Sequence, residues 1–190
     1  MRGLLAAMLI ATGCTQGVPK EQAVTAACVA PESVADYVHM VIEADRATYS
    51  DRVVHRLQNV EKVINASESF EEDHALPLPS QMLRMGAARS AESSGGRLRY
   101  ALISEWAINK ANLPKTDFEK RGLRSLAAHA GEPYRGYQSA GEQRYFTALY
   151  ADRAVSQACV DCHNQHPESP RGDFKLGEVM GGVVVTMKVD

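Results

Sequence analysis

The sequence predicts a single α+β domain built on a small antiparallel sheet. Three observations predict it: a long amphipathic helical pattern near the amino end, two β-type runs joined by a glycine turn, and an apolar strand that closes the chain. Helices and strands follow one another without a regular βαβ alternation, which favours α+β over a parallel sheet. The 190 residues suffice for one domain with a hydrophobic core.

The first 14 residues resemble a secretory leader. Arg2 precedes an apolar run from Leu4 to Ala11, and Gly13-Cys14 follows. The run is long enough for a signal peptide and too short to span a bilayer. Because Gly-Cys at such a point resembles a bacterial lipoprotein signal, we expect export to the periplasm, with a lipid on Cys14 as a possible membrane anchor. An ordinary buried helix is the alternative.

Composition and charge indicate which partners are expected and where the folded domain begins. The formal net charge is −2 and the acidic and basic residues are interspersed, so nucleic acid is not an expected partner. Residues 15–30 are small and polar, which predicts a tether. Residues 31–190 then form the single domain.

The first predicted element is a long amphipathic helix from Glu32 to about Leu57, extending at most to Ile64. Its apolar face is formed by residues at helical spacing: Val34, Val38, Val41, Ile42 and Tyr49. The prolines of Leu76–Pro79 exclude regular helix there. Ser80 is expected to cap a second helix through about Ala91.

The remaining predicted elements include a hairpin and a closing strand. In chain order they are a strand Arg97–Ser104, a helix from Thr116 to about His129, a hairpin of Tyr134–Ser139 and Gln143–Tyr150, a short helix Asp152–Ala158, and a strand Val179–Val189. Glu119 stands three residues after Thr116, which is the spacing of a capping box. Gly181 and Gly182 indicate a place where the last strand bends or closely approaches another segment.

The segment Cys159-Val160-Asp161-Cys162-His163 is a C-x-x-C-H motif. Two thiols at this spacing can add to both vinyl groups of one haem, and the histidine that follows can bind the iron as an axial ligand. The motif therefore predicts covalently attached haem c, held by Cys159, Cys162 and His163, with His163 as a metal ligand.

A bare C-x-x-C also occurs in dithiol redox sites and in halves of zinc sites. A zinc site normally has a second ligand pair at similar spacing, and the sequence shows none, although His166 is near; we expect His166 at the surface. A dithiol site does not need the histidine. A non-haem metal or dithiol site is thus the alternative. Cys28 remains unpaired, so no structural disulfide is expected.

Several segments together carry a family resemblance: Trp106–Pro114, Phe118-Glu119, Tyr145-Phe146, Ala158–Asn164 and Asp173–Gly182. In these segments the chain resembles the Tll0287-like haem domain family (DUF3365), bacterial c-type haem proteins and sensor ectodomains. The resemblance implies a PAS-like fold, with haem packed between the antiparallel sheet and the long amino-terminal helix. It also implies redox or gas sensing as the role.

The sixth coordination position of the iron has two candidates. His39 lies in the first helix, one side of which is expected to face the cofactor. Cys28 is the rival, because one member of the resembled family has an axial cysteine thiolate. His55 is nearly opposite His39 on the helical wheel, so one face cannot present both. Met82 and Met85 are expected to fill core space.

Arg46, Arg99 and Arg144 are candidates for binding the haem propionates, because a guanidinium binds a carboxylate through two hydrogen bonds. Asn109 and Asn112 are expected to fix a loop by side-chain to backbone bonds.

Two functional classes follow. The first is a binding or electron-transfer protein, whose partner is a redox protein or a small diatomic ligand. The alternative is a haem enzyme of peroxidase or nitrogen-oxide reductase type, with His39 or Arg46 at an open distal site.

Overall fold

The computed structural model describes residues 28–189 and confirms the α+β class. The helices are α1 Pro31–Thr48, a π-helix Tyr49–Val60, α2 Pro79–Ser93, a 3-10 turn Lys110–Asn112, α3 Asp117–Ala128 and α4 Gln157–Gln165. The strands are β1 Ala66–Ser67, β2 Leu76–Pro77, β3 Leu98–Ile103, β4 Tyr134–Ala140, β5 Gln143–Arg153 and β6 Val179–Val189.

Within residues 28–189, no helix combines the length and the apolarity that crossing a membrane requires. The expected leader and Cys14 lie outside the described residues.

Four strands form one antiparallel sheet in the order β3-β6-β5-β4. The predicted hairpin is β4–β5, and it turns at Gly141, whose φ is 61°. The last strand, β6, lies inside the sheet between β3 and β5, and its ladder with β5 runs from Arg144 opposite Val189 to Arg153 opposite Val179. The carboxyl end of the chain therefore joins the hairpin to β3.

Helices cover both faces of this sheet. On one face α1 packs against β5 and β6, through Val34, Ala35, Val38 and Ile42 on the helix and Phe146, Tyr150, Val183 and Val185 on the strands. On the other face, Leu123 and Leu126 of α3 pack against Leu149 and Val184. Since successive strand residues point to opposite faces, β5 and β6 are buried on both sides.

The long predicted helix is present, but it changes its hydrogen-bonding pattern half way. It is α-helical to Thr48 and continues as a π-helix to Val60. A step of four residues overshoots one turn of an α-helix by about 40° and falls short of the wider turn of a π-helix, so the two drifts partly cancel across the junction. Residues at every fourth position across the junction can therefore share one side of the helix: Arg46, Ser50, Val54 and Gln58.

Two helices begin at residues other than those predicted. Helix α2 begins at Pro79 with Leu78 as its N-cap, not at Ser80, because the fixed φ of proline suits the first helical position. The short helix predicted over Asp152–Ala158 is instead α4, Gln157–Gln165, because residues 152 and 153 pair with β6. The C-x-x-C-H motif consequently lies within a helix.

The glycines of β6 lie at a close approach, as predicted. A Cβ on Gly181 would lie 2.5 Å from the carbonyl oxygen of Ile103. Beside it the ladder has a bulge, since Asp152 pairs with Gly181 but Arg153 pairs with Val179, which leaves Met180 without a partner on β5. Bulges redirect side chains at the ends of strands, and this one lies where β5 and β6 reach the cavity described below.

We predict that Gly181→Ala lowers the free energy of unfolding by about 1–3 kcal/mol, because the new methyl group meets a backbone carbonyl that cannot move aside. Gly131→Ala is the matched control, since a Cβ there would meet nothing within 4 Å. Urea denaturation of both variants measures the difference. Equal midpoints for the two would show that β6 does not approach β3 this closely.

Candidate functional site

A cavity of about 310 Å³ opens at one end of the sheet. It lies where β3 and β5 end and β6 begins, between the Arg46–Gln58 side of the long helix and α4. The loop after β3 and the start of α2 close the remaining sides. Small-molecule sites in proteins commonly occupy roughly 300–1,000 Å³.

Helix α4 presents the C-x-x-C-H side chains to this cavity. Cys159, Cys162 and His163 all line it. Because residues three and four apart are neighbours on a helix surface, one helical face carries both thiols and the imidazole. The Cys159 Sγ lies 3.3 Å from the hydroxyl of Ser156, and neither thiol is in a disulfide. The predicted motif residues are thus brought together.

The surroundings of the His163 imidazole favour its neutral form. Burial lowers the pKa of His163, and the charges of Arg46 and His166 lower it further. Its Nδ1 atom is buried and has no hydrogen-bond partner within residues 28–189. A neutral imidazole with an unused lone pair can bind a metal.

Asn164 and Phe174 hold His163 in place. Asn164 Nδ2 donates to the Phe174 carbonyl at 2.9 Å, and its Oδ1 accepts from the Phe174 N–H at 2.9 Å. The Phe174 ring meets the His163 ring edge-on, with centroids 5.8 Å apart. The guanidinium of Arg171 lies over the Phe174 ring, 4.3 Å from its centroid. The sequence analysis did not predict these contacts. Asn164 and Phe174 both lie in segments that carry the family resemblance, but no local sequence pattern indicates that the two residues bind each other.

The opposite wall is the Arg46–Gln58 side of the long helix. Arg46 forms an ion pair with Asp152, and the two side chains are only 12% and 8% exposed. Burial raises the pKa of the Asp152 carboxyl, and the Arg46 guanidinium partly offsets this. Arg46 Nε and Ser50 Oγ are buried without a hydrogen-bond partner among the described residues. Ser50 was not predicted as a site residue, because nothing in its sequence context distinguishes it.

His39 does not line the cavity, and its role as the sixth ligand stays a prediction. Its ring stacks on Tyr150, with centroids 3.9 Å apart and planes 8° from parallel. The Tyr150 hydroxyl donates to Asp36 at 2.7 Å. This part of α1 packs directly on the sheet, so the space expected for a cofactor between helix and sheet is filled by side chains, and the cavity lies farther along the helix.

The other ligand candidates are also outside the cavity. Cys28 is exposed at the start of the described chain. His55, half-buried on the π-helix, does not line the cavity. Met82 and Met85 were expected to fill core space; neither lines the cavity, and Met85 is instead 40% exposed. Met180, which we had not predicted, does line it.

Of the three candidate arginines, only Arg46 lines the cavity. Arg99 is exposed over the Tyr145 ring at 5.1 Å, and Arg144 is exposed over the Tyr137 ring at 4.7 Å. Neither residue lines the cavity beside His163, so their role at the haem propionates stays a prediction.

The loop asparagines both line the cavity. Asn109 Oδ1 accepts from the Ala111 N–H at 2.9 Å, which confirms its predicted role in fixing the loop. The backbone carbonyl of Asn112 accepts from Ser104 N–H at 3.0 Å. His166, expected at the surface, lines the cavity at the end of α4. Within residues 28–189, no group of three or more His, Cys, Asp or Glu side chains is arranged to hold a metal ion.

The fold is an α+β domain in which a cysteine–histidine helix lines a cavity at one end of an antiparallel sheet. The chain belongs to the Tll0287-like family, whose model matches residues 22–188. This confirms the predicted resemblance. A similar solved structure is described as the crystal structure of the cyanobacterial heme-protein Tll0287, with a TM-score of 0.53 and 13% sequence identity over 85% of this chain and 98% of that one. Tll0287 therefore shares the fold. No curated protein matches the chain.

We predict that Asn164→Ala destabilises the fold by about 1–3 kcal/mol, because it leaves the buried N–H and carbonyl of Phe174 without partners. Gln165→Ala is the control, since its side chain is exposed on the same helix. The free energy of unfolding from urea titration is the measurement. A loss no larger than that of the control would rule out the support of α4 by these two bonds.

Proposed function

We propose that this chain is a c-type haem protein. The observation that carries this proposal is that Cys159, Cys162 and His163 share one helical face and line one cavity. The solved structure of similar fold is described as a heme-protein, which agrees with it. Three residues that line the cavity carry buried polar atoms without partners in the part of the chain that the structure describes: His163, Arg46 and Ser50. A bound group would relieve the cost of burying them.

The cysteines would hold the haem covalently. Each thiol would add across one vinyl group, with sulfur bonding one carbon and the hydrogen going to the other, so no oxidant would be needed. His163 would hold the iron through a ring nitrogen, and the Asn164–Phe174 contacts fix the direction of its ring. The bound haem would supply an iron that changes oxidation state and binds small ligands.

The role that this site supports best is electron transfer or redox or gas sensing. A redox protein or a small diatomic ligand is the partner we propose, on a domain of PAS-like type. We further propose export through the leader of residues 1–14, with lipid on Cys14 and residues 15–30 as the tether. An enzyme is the weaker proposal, because of its two candidate distal residues only Arg46 lines the cavity, and Arg46 is already paired with Asp152.

Covalent attachment is the first test. The protein made in a host that matures c-type cytochromes is expected to retain its pigment after denaturation and acid-acetone extraction. The double variant Cys159→Ser/Cys162→Ser is expected to lose all of it, because both thioether bonds are gone. Cys28→Ser is the control and should retain the pigment, since Cys28 is remote from the cavity. If the wild-type protein retains no pigment after extraction, the proposal is wrong, and a dithiol or non-haem metal site remains as the alternative.

A second prediction separates the two histidines. His163→Ala is expected to change the optical spectrum of the oxidised holoprotein, because it removes an iron ligand. His39→Phe is expected to leave that spectrum unchanged, since its ring packs on Tyr150 outside the cavity and phenylalanine preserves the stack. A spectral change in His39→Phe as large as that in His163→Ala would restore His39 as an iron ligand.

A further inference from the structure

The wall that faces α4 carries two hydrogen-bond donors that no described group uses. Ser50 is 1% exposed, and its hydroxyl has no partner. Arg46 uses Nη1 for its ion pair with Asp152, while its Nε–H has no partner. Both residues line the cavity. Since burying an unpaired donor is unfavourable, a bound group that supplies an acceptor would stabilise this wall.

The rest of this wall is suited to a small ligand. Val54, four residues after Ser50, is 4% exposed and presents an apolar side chain to the same cavity. Asp152 balances the charge of Arg46, so the wall offers hydrogen bonds without a strong net positive charge. A haem propionate, which carries a full negative charge, is poorly matched to a guanidinium that is already paired.

The same wall holds no usual protein ligand for haem iron. Among the described residues that line the cavity from the long helix, none is His, Cys, Met or Tyr. His166 is the C-cap of α4, and its Nδ1 accepts from the Glu168 N–H at 3.1 Å. Met180, on β6, packs with Val160 of α4 and with Phe174. Neither side chain belongs to the wall formed by the long helix.

We propose that this wall is the binding site of a small polar ligand of the iron, diatomic or nearly so, whose outer atom accepts hydrogen bonds from Ser50 and Arg46. This inference rests on the proposed function and deepens it, since it names the class of ligand and the donors that select it. Ser50 and Arg46 favour ligands whose outer atom is a good acceptor over equally small ligands whose outer atom is a poor one.

Cyanide and carbon monoxide are suitable probes, because bound cyanide is a good acceptor and bound carbon monoxide a poor one. We expect the ferric holoprotein to bind cyanide and Ser50→Ala to weaken that binding about tenfold or more. Carbon monoxide affinity of the ferrous protein should change by less than about threefold. Ser67→Ala is the matched control, since Ser67 lines the same cavity but its hydroxyl already bonds to Asp73 and Ser69.

A second pair of variants covers the case in which Ser50→Ala does not fold. Ser50→Thr keeps the hydroxyl. Ser50→Val introduces a side chain of the same shape as threonine, with a methyl group in place of the hydroxyl. The threonine variant is expected to bind cyanide about as tightly as wild type, and the valine variant about tenfold or more weakly. Equal cyanide affinities in this pair, or in Ser50→Ala and wild type, would overturn the inference.

One experimental result would overturn this inference alone, and a different result would overturn the proposed function as well. A holoprotein that keeps covalent haem but binds neither cyanide nor carbon monoxide has a protein ligand on the second face of the iron. That result would overturn the open site and leave the c-type haem proposal intact. A protein without covalent haem would end both.

Discussion

The anchoring of helix α4 is the constraint on which the site depends. The helix has nine residues, Gln157–Gln165, and a helix this short is not stable on its own in water. Tertiary contacts hold it: Val160 is buried in the small core around Phe174 and Met180, and Asn164 makes two hydrogen bonds to Phe174. The position of both thiols and the imidazole therefore follows from the core beneath them.

The segments on either side of α4 are tied to each other as well. The Ala154 N–H donates to the Glu178 carbonyl at 2.9 Å, and the Gly177 N–H donates to the Ala154 carbonyl at 2.9 Å. Beside these bonds lies the bulge at which Asp152 of β5 and Met180 of β6 reach the cavity. The sheet thus fixes both ends of the loop that carries the site.

The long helix performs two tasks along its length. Its first half stabilises the fold: Ala35 is fully buried, His39 stacks on Tyr150, and burial together with the hydrogen bond to Asp36 raises the pKa of the Tyr150 hydroxyl. Its second half forms a cavity wall with a buried ion pair between Arg46 and Asp152. Because desolvating two charges offsets most of their attraction, such a pair contributes more to positioning than to stability. The change to a π-helix lies between the two halves.

The sequence by itself determined what depends on near neighbours in the chain. The C-x-x-C-H spacing, the β4–β5 hairpin and the capping box at Thr116–Glu119 all follow from short-range geometry. In the capping box each side chain bonds the other residue's backbone N–H. Gly181 indicated a close approach, but only the pairing of distant strands made Ile103 its neighbour. Tertiary structure alone decided which candidates meet. His39 was expected toward a cofactor, but the rotation of α1 about its axis is set by packing on a sheet that forms from distant strands. Arg99 and Arg144 depend on strand register, which pairs residues far apart in sequence. Ser50 has no local signal at all, since its burial and its missing partner arise only when the long helix and α4 enclose the same cavity.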